Sequence, residues 1–419
     1  MGRLVVRPSG PLSGTVRVSG AKNSVLKLMA ATTLCEGTFT LHDVPHIVDV
    51  EIMCDLLVSM GLDTKRNGTT LEIVRGPEVH PEAPYELVEQ MRASIVVLGP
   101  LVARCGRARV SMPGGDNFGV RPIDMHLRGL ELMGATVDTD HGYIEARCNG
   151  ERLVGARIVL EFPSHTATDN LLMAAVLAKG TTVIENAARE PEVADLAAML
   201  NRMGARVIGA GSSTIEVEGV DSLQPVEHTV IPDRIEAATW VAAAALAGGE
   251  VSIDGARPDH MDMIVQKMGD MGVRVAPSSQ GLWAGSRGAL RSADVATLPY
   301  PGIATDYKPL LVAMLAVADG VAIVTENIFR DNRFAYVAEL NRMGADIRTD
   351  GHHAVVRGVR RLSGARVKAH DLRAGVALCL AGLVADGETV VEDAHHIDRG
   401  YDDFVGKLRS LGGDIERAR

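Results

Sequence analysis

The stretch P-G-G-D-N-F-G-V-R-P, residues 113–122, brings two groups that can do chemistry into a glycine-rich segment. Asp116 offers a carboxyl group and Arg121 a guanidinium, and three glycines favour a mobile loop around them. An aspartate beside glycine and asparagine is common in simple surface turns. A closing loop can also deliver an acid to a bound reactant, and the ten residues alone do not decide between these interpretations.

A second set of chemical groups precedes six apolar runs. The preceding strings are SGAKNSVLK, EQMRASIV, FPSHTATDN, IPDRIEAAT, GIATDYKPL and AHDLRAGVA. Helix N-termini offer unpaired N–H groups and the positive end of the helix dipole, which together attract anions. Ser, Thr and Asp at such positions are also ordinary helix caps. The recurrence at six helix starts, together with Lys22, Arg92, Arg234 and Arg373, predicts an anion-binding site.

These groups lie within a pattern of helices and strands that repeats six times. An apolar run ends at a glycine and a β-branched strand follows; a second helical pattern then ends at another glycine before another strand. Successive glycines within each series are 67 to 74 residues apart. The first series is Gly37, Gly106, Gly180, Gly249, Gly320 and Gly387, and the second is Gly61, Gly134, Gly204, Gly272, Gly344 and Gly412. Glycine after a helix is typical of a left-handed C-cap.

The apolar runs predict buried helices. Segments such as 170–180 and 239–249 are apolar on nearly every face, as helices in a core are. We therefore expect the long helices inside and the sheets outside, the reverse of a common α/β barrel. Six units suggest two domains of three: residues 21–230, and residues 1–20 plus 231–419, with a ligand cleft between them.

Composition narrows the class of protein. The 419 residues are 46% hydrophobic and 23% charged, with a net charge of −10, which argues against a nucleic-acid partner. No apolar run approaches the roughly 18 residues of a membrane span, and the start of the chain lacks the apolar core of a signal peptide. Five scattered cysteines show no metal spacing. These features predict a cytoplasmic protein with reduced cysteines and no metal site.

Several strings together resemble the enolpyruvyl transferases over essentially the whole chain, and most closely the branch that acts on UDP-N-acetylglucosamine. They are SGAKNSVLKLMAATTL, MRASIVVLGPLVAR, the loop around Asp116, ENAAREPEV, the ATD before the fifth long helix, and HIDRGY. The resemblance implies the two-domain inside-out α/β barrel built from six βαβαββ-like repeats. It also implies enolpyruvyl transfer from phosphoenolpyruvate to a sugar hydroxyl, with phosphate release, no cofactor and a monomeric state.

The resemblance also implies roles for particular residues. Asp306 is the base near the acceptor hydroxyl, Asp116 the loop acid, and Lys22 and Arg399 complete the catalytic set. Phosphoenolpyruvate carries up to three negative charges, so Arg92, Arg121 and Arg373 join Lys22 and Arg399 as its cations. The remaining residues expected at the sugar nucleotide are Asn23, Pro122, Ile123, Asp124, Met125, Ser164, His165, Thr166 and Ile328. Residues 121–124 are equally typical of a helix start with proline in its first position.

Asp116 departs from most of the family, which carries cysteine there. That cysteine is the proposed acid and is alkylated by fosfomycin, whereas some members carry aspartate. A carboxyl group can replace the thiol as proton donor only if its pKa is raised from about 4. Burial beside an anionic ligand raises a carboxyl pKa, so loop closure would supply this condition.

Other departures concern the acceptor. The family usually reads S-V-G-A-T where this chain has residues 164–168, so His165 replaces valine and Thr166 replaces glycine. Thr166 would be strained if the turn required a positive φ, and His165 could contact a phosphate directly. Val96 replaces a frequent tryptophan, Lys308 a glutamine, and residues 328–333 are one longer than usual.

Three hypotheses follow. The first is transfer to the 3-hydroxyl of UDP-N-acetylglucosamine in peptidoglycan synthesis. The second is transfer to another uridine acceptor, such as uridine monophosphate in a nucleoside-antibiotic pathway. The third, a non-catalytic binding protein, is disfavoured because Lys22, Asp306 and Arg399 are all present.

Overall fold

The computed structural model describes residues 2–114, 123–286, 288–329 and 333–418. These residues divide into two compact units. The N-terminal unit comprises residues 20–114 and 123–231, and the C-terminal unit comprises residues 2–19 with the described residues of 232–418. Asp116, Arg121 and Pro122 lie outside the described residues.

Every four-stranded sheet of the described residues has one topology. The first strand is parallel to the second, the second antiparallel to the third, and the third antiparallel to the fourth. In the N-terminal unit these sheets, in spatial order, are Glu227–Thr229, Gly37–His42, Thr70–Arg75 and Leu62–Asn67; Glu82–Ala83, Arg107–Ser111, Tyr143–Cys148 and Ala135–Asp140; and Arg157–Val159, Thr181–Glu185, Thr214–Glu218 and Arg206–Ile208.

The C-terminal unit repeats this order. Its sheets are Leu12–Arg17, Gly249–Asp254, Gly281–Ser286 and Arg274–Pro277; Val295–Ala296, Val321–Thr325, His353–Arg357 and Asp346–Asp350; and Arg366–Lys368, Thr389–Glu392, Arg3–Val6 and Ile415–Ala418. A two-stranded pair, Leu362–Ser363 and Ala385–Asp386, accompanies them. The first strand of the chain thus sits between two strands from its end, with Leu4 opposite both Val391 and Arg417.

Each unit also contains helices, and the long apolar ones are buried. Those of the N-terminal unit are Lys22–Ala31, Val48–Ser59, Tyr85–Val88, Leu98–Cys105, Asp124–Leu132, His165–Ala175 and Pro191–Arg202, with 3₁₀ turns Thr32–Leu34 and Arg92–Val97. Those of the C-terminal unit are Arg234–Ala247, Asp262–Asp270, Lys308–Leu315, Val337–Arg342, Leu372–Gly382, His395–Asp398 and Phe404–Ser410, with 3₁₀ turns Pro258–His260 and Thr305–Tyr307. No described helix is both long and apolar enough to cross a membrane.

The long apolar helices are buried along their length, as their composition predicts. Every residue of Leu372–Gly382 is buried, as are the residues of Lys308–Leu315. In the C-terminal unit these two helices and Arg234–Ala247 contact one another. In the N-terminal unit Leu98–Cys105 packs so closely on His165–Ala175 that a Cβ on Gly99 would lie 2.2 Å from the carbonyl oxygen of Asn170. The predicted arrangement of helices inside and sheets outside is confirmed.

The glycine pattern also holds. All twelve repeat glycines have positive φ, between 69° and 125°, a conformation that glycine adopts more readily than other residues. The expectation of proline in the first position of the helix after the loop concerns Pro122, which lies outside the described residues; the helix is described from Asp124 onwards. Thr166 lies in the first turn of His165–Ala175 and is absent from the described residues with positive φ, so it is not strained.

Candidate active site

Each unit carries part of the predicted site, and the two groups are described separately. The N-terminal unit holds Lys22, Asn23, Arg92, Ile123–Met125 and Ser164–Thr166, and the C-terminal unit holds Asp306, Ile328, Arg373 and Arg399. Capping fixes several of the helix starts that carry them. Ser164 Oγ accepts a hydrogen bond from the N–H of Ala167 at 3.3 Å, and Asp371 Oδ1 accepts from the N–H groups of Arg373 and Ala374, both at 2.8 Å.

Lys22 is the first residue of its helix and is held by a buried carboxylate. Its Nζ lies 2.8 Å from Oδ2 of Asp49, and both side chains are largely buried. The contact gives the Lys22 ammonium a countercharge and a defined position. Asp49 was not singled out in the sequence, because its partner lies on a different helix.

One turn further along the same helix, Lys27 links the Asn23 segment to His165. The Lys27 ammonium donates to the main-chain oxygen of Asn23, and its Nζ lies 3.2 Å from Nε2 of His165. An ammonium is only a donor, so a charged Lys27 would use Nε2 of His165 as its acceptor in this contact. Nδ1 in turn lies 3.7 Å from Oδ2 of Asp169.

Burial dominates the electrostatics of Lys27 and Asp169. The two charged groups lie 3.8 Å apart. Burial lowers the pKa of Lys27 against the attraction of Asp169, and burial raises the pKa of Asp169 to about 7 against the attraction of Lys27. His165 therefore contacts a buried lysine, and the separation of 138 residues between the two hid this contact from sequence analysis.

His126 and Asn170 connect the other substrate-binding candidates of this unit. Asn170 Nδ2 donates to Nδ1 of His126 at 2.9 Å, and its Oδ1 accepts from the N–H of Gly99 at 2.6 Å. His126 Nε2 lies 3.4 Å from Oγ1 of Thr166. Burial, with a smaller contribution from Arg92, lowers the pKa of His126 to about 3, so the imidazole is neutral. This network joins the helix that begins at Asp124 to the one that begins at His165.

Arg92 begins a 3₁₀ turn and its guanidinium donates to the carbonyl oxygen of Pro113 at 3.4 Å. Pro113 lies just before the undescribed residues 115–122. Ile123 is buried, Asp124 is exposed, and Met125 is half-buried. Arg92 therefore tethers the described start of the loop segment to the N-terminal unit.

In the C-terminal unit, two arginines converge on Asp306. Arg333 Nη2 donates to Oδ1 of Asp306 at 2.9 Å, and Arg373 Nε lies 3.7 Å from Oδ2. Both guanidinium groups are buried, while Asp306 is half-buried. Burial alone would lower the pKa of Arg373, but Tyr401, Asp233 and Asp306 together raise it, so Arg373 is a permanent cation. The sequence analysis included Arg333 only as the last residue of the segment 328–333, which is one residue longer than is usual in the family.

Ile328 and Arg399 complete the described set. The N–H of Ile328 donates to Oε1 of Glu326 at 2.9 Å, which fixes the turn that carries this half-buried side chain. Arg399 directly follows the short helix His395–Asp398 and is half-buried. Among the residues that the structure describes, no cluster of three or more His, Cys, Asp or Glu side chains could hold a metal ion.

The sheet topology that repeats six times agrees with the fold that the resemblance to the enolpyruvyl transferases predicted. The family described as EPSP synthase (3-phosphoshikimate 1-carboxyvinyltransferase) matches residues 6–408. The chain therefore belongs to this family and is an enolpyruvyl transferase.

Individual proteins also resemble the chain over its full length. The chain is 52% identical over 415 residues to a UDP-N-acetylglucosamine 1-carboxyvinyltransferase of Mycobacterium tuberculosis, with 99% of each chain covered. It is 49% identical over 416 residues to UDP-N-acetylglucosamine 1-carboxyvinyltransferase 1 of Caldanaerobacter subterraneus, with 99% of each covered. The crystal structure of the enolpyruvyl transferase NikO from Streptomyces tendae matches with a TM-score of 0.89 and 28% identity, covering 100% of this chain and 99% of that one.

Proposed function

We propose that this chain transfers the enolpyruvyl group of phosphoenolpyruvate to the 3-hydroxyl of UDP-N-acetylglucosamine and releases phosphate. The observation that carries the proposal is the full-length identity of about one half to proteins named for this reaction. The alternative acceptor, uridine monophosphate, is not favoured, because the relatives of about 50% identity are named for UDP-N-acetylglucosamine.

The proposed chemistry needs a base, an acid and several cations. Addition across the double bond of phosphoenolpyruvate takes a proton from the acceptor hydroxyl and places one on the methylene carbon. We assign the first step to Asp306, since its carboxylate is half-exposed and held by Arg333. We assign the second to Asp116 on the resemblance of its loop. The tetrahedral intermediate then loses a proton from its new methyl group and phosphate by cleavage of the C–O bond, which restores the double bond in the transferred enolpyruvyl group.

Fixed cations supply the binding energy for phosphoenolpyruvate. We propose Lys22 and Arg92 from the N-terminal unit, and Arg373 and Arg399 from the C-terminal unit, with Arg121 added from the loop. The burial of Lys22 and Arg373 supports these roles, because a charge held by partners before the ligand arrives costs little reorganisation when it binds.

We propose that the sugar nucleotide contacts Asn23, Ile123–Met125, Ser164–Thr166 and Ile328. Nε2 of His165 contacts Lys27, which favours a role for His165 in holding Lys27 in place rather than a direct bond from that nitrogen to a phosphate. The same proposal places the protein in peptidoglycan synthesis, as a cytoplasmic monomer with reduced cysteines.

The test is phosphate release from phosphoenolpyruvate by the purified chain with UDP-N-acetylglucosamine, with uridine monophosphate, and with no acceptor. We expect acceptor-dependent release with the first alone. The matched control is Asp306→Asn, which keeps the side-chain shape and removes the base. Turnover with uridine monophosphate alone would replace the proposed acceptor, and no release with either acceptor would overturn the proposed reaction.

A further inference from the structure

The carboxylate of Glu326 gathers donors from three segments of the C-terminal unit. Its Oε1 accepts from Thr297 Oγ1 at 2.7 Å and from the N–H groups of Ile328 and Phe329 at 2.9 and 3.3 Å. Its Oε2 accepts from Thr305 Oγ1 at 2.7 Å. Glu326 is 2% exposed, and a buried carboxylate is stable only when its acceptor sites are filled in this way.

Lys308 provides the countercharge. Its Nζ lies 2.7 Å from Oε2 of Glu326 and 3.9 Å from the ring centre of Phe334, and the side chain is fully buried. Burial lowers the pKa of Lys308 to about 8, against the attraction of Glu326. Burial would raise the pKa of Glu326, but Lys308 and the two threonine hydroxyls outweigh it and lower that pKa, so the carboxylate is charged.

The partners of Glu326 flank the predicted base. Thr305 immediately precedes Asp306 in the 3₁₀ turn Thr305–Tyr307, and Lys308 begins the helix that follows. The arginines on Asp306 contact its carboxylate oxygens. The contacts of Glu326 instead fix Thr305 and Lys308, on either side of Asp306. They thereby set the direction in which the Asp306 side chain leaves the backbone.

The same carboxylate fixes the turn that carries Ile328. Its bonds to the N–H groups of Ile328 and Phe329 hold residues 326–329 against the Asp306 turn. One buried group thus sets the separation between the predicted base and a predicted sugar contact. Misplacement of a reacting group by about 1 Å can cost 10²-fold in rate.

We infer that Glu326, with Lys308 as its countercharge, is a positioning residue that aligns Asp306 with the acceptor sugar. This inference rests on the proposed function. It predicts a loss in kcat when the link to the Asp306 turn is cut. The KM for phosphoenolpyruvate should change little, because its proposed cations are not partners of Glu326 in the contacts described above.

The most selective variant is Thr305→Val, which keeps the side-chain shape and removes a single hydrogen bond to Glu326. We expect kcat for phosphate release to fall about 10-fold with the KM for phosphoenolpyruvate within about twofold, and Thr305→Ser to restore kcat. Glu326→Gln should lower kcat further, and Lys308→Gln in the same chain should recover part of it, because a neutral amide pair replaces an unpaired buried ammonium.

The matched control is Glu392→Gln, which removes a surface ion pair with Arg366 at 2.7 Å in the same unit and should leave kcat and KM unchanged. Wild-type kcat in Thr305→Val, or equal losses in Thr305→Val and Thr305→Ser, would overturn the inference. Should Glu326→Gln not fold, the two Thr305 variants decide the question. No phosphate release by the unmodified chain would overturn the proposed function, and with it this inference, before any variant is compared.

Discussion

Nη2 of Arg333 lies 2.9 Å from Oδ1 of Asp306, so a buried guanidinium holds the carboxylate that we propose as the base. A charge-assisted hydrogen bond of this length fixes orientation as well as charge. Side chains of the protein alone therefore orient the Asp306 carboxylate.

The first prediction concerns this contact. Arg333→Met should lower kcat about 10- to 100-fold, because the carboxylate loses its fixed orientation, while Asp306→Asn should lower it about 10²- to 10⁴-fold. Steady-state phosphate release measures both. The double variant should be no slower than Asp306→Asn alone, since Arg333 acts through Asp306.

The control for Arg333→Met is Arg360→Met, which removes an exposed arginine from the same unit and should leave kcat unchanged. Independent, multiplicative losses in the double variant would show that Arg333 acts elsewhere than on Asp306.

The second prediction separates two roles for His165. If the ring is an acceptor for buried Lys27, His165→Val should lower the free energy of unfolding by about 1–3 kcal/mol, because the ammonium loses a hydrogen-bond partner. Urea unfolding at neutral pH measures this, with the exposed His80→Val of the same unit as the control.

A direct phosphate contact by His165 would give the opposite pattern. The stability of His165→Val would then match that of His80→Val, and the KM for the uridine nucleotide would rise. The 3.2 Å separation between Lys27 Nζ and His165 Nε2 favours the first outcome.

The third prediction concerns acid stability. Burial holds the pKa of His126 at about 3, whereas an unfolded histidine titrates near 6.5. Between these values the unfolded state binds more protons than the native state, so the free energy of unfolding rises with pH. The stability that His126 contributes is complete above about pH 6.5 and is lost as the pH falls towards 3, by an amount on the order of a few kcal/mol.

Urea unfolding at several pH values between 4 and 7 checks this. His126→Gln should flatten the dependence of the free energy of unfolding on pH, even if the variant is less stable at neutral pH. His80→Gln, at an exposed position in the same unit, should retain the slope of the unmodified protein. Parallel curves for the unmodified protein and His126→Gln would contradict the buried neutral state.

The sequence predicts the fold better than the contacts within the site, and the reason is physical. Positive φ at Gly106 or Gly344 and the burial of residues 372–382 follow from local rules of capping and amphipathicity. The bonds of Glu326 reach 29 residues back to Thr297 and 21 back to Thr305, and depend on how strands and turns pack. The i,i+4 spacing of His165 and Asp169 is visible in the sequence, but the lysine that contacts both of them is not.

The last prediction returns to Asp116, which lies outside the described residues. An aspartate carboxylate is a much poorer nucleophile towards an epoxide than a cysteine thiolate is, so fosfomycin should not inactivate the unmodified enzyme. Asp116→Cys should become sensitive, with time-dependent loss of phosphate release and one added inhibitor mass in residues 107–121.

None of the five native cysteines lies within residues 107–121, so an adduct in that segment reports on position 116. Cys35, Cys54 and Cys379 are buried, and burial raises the pKa of each thiol, to about 11 for the first two, which keeps them protonated at neutral pH. Labelling of the unmodified chain within residues 107–121 would contradict the assignment of Asp116 as a carboxyl acid. An active Asp116→Cys variant that resists inactivation would place residue 116 away from the bound epoxide, and so away from phosphoenolpyruvate.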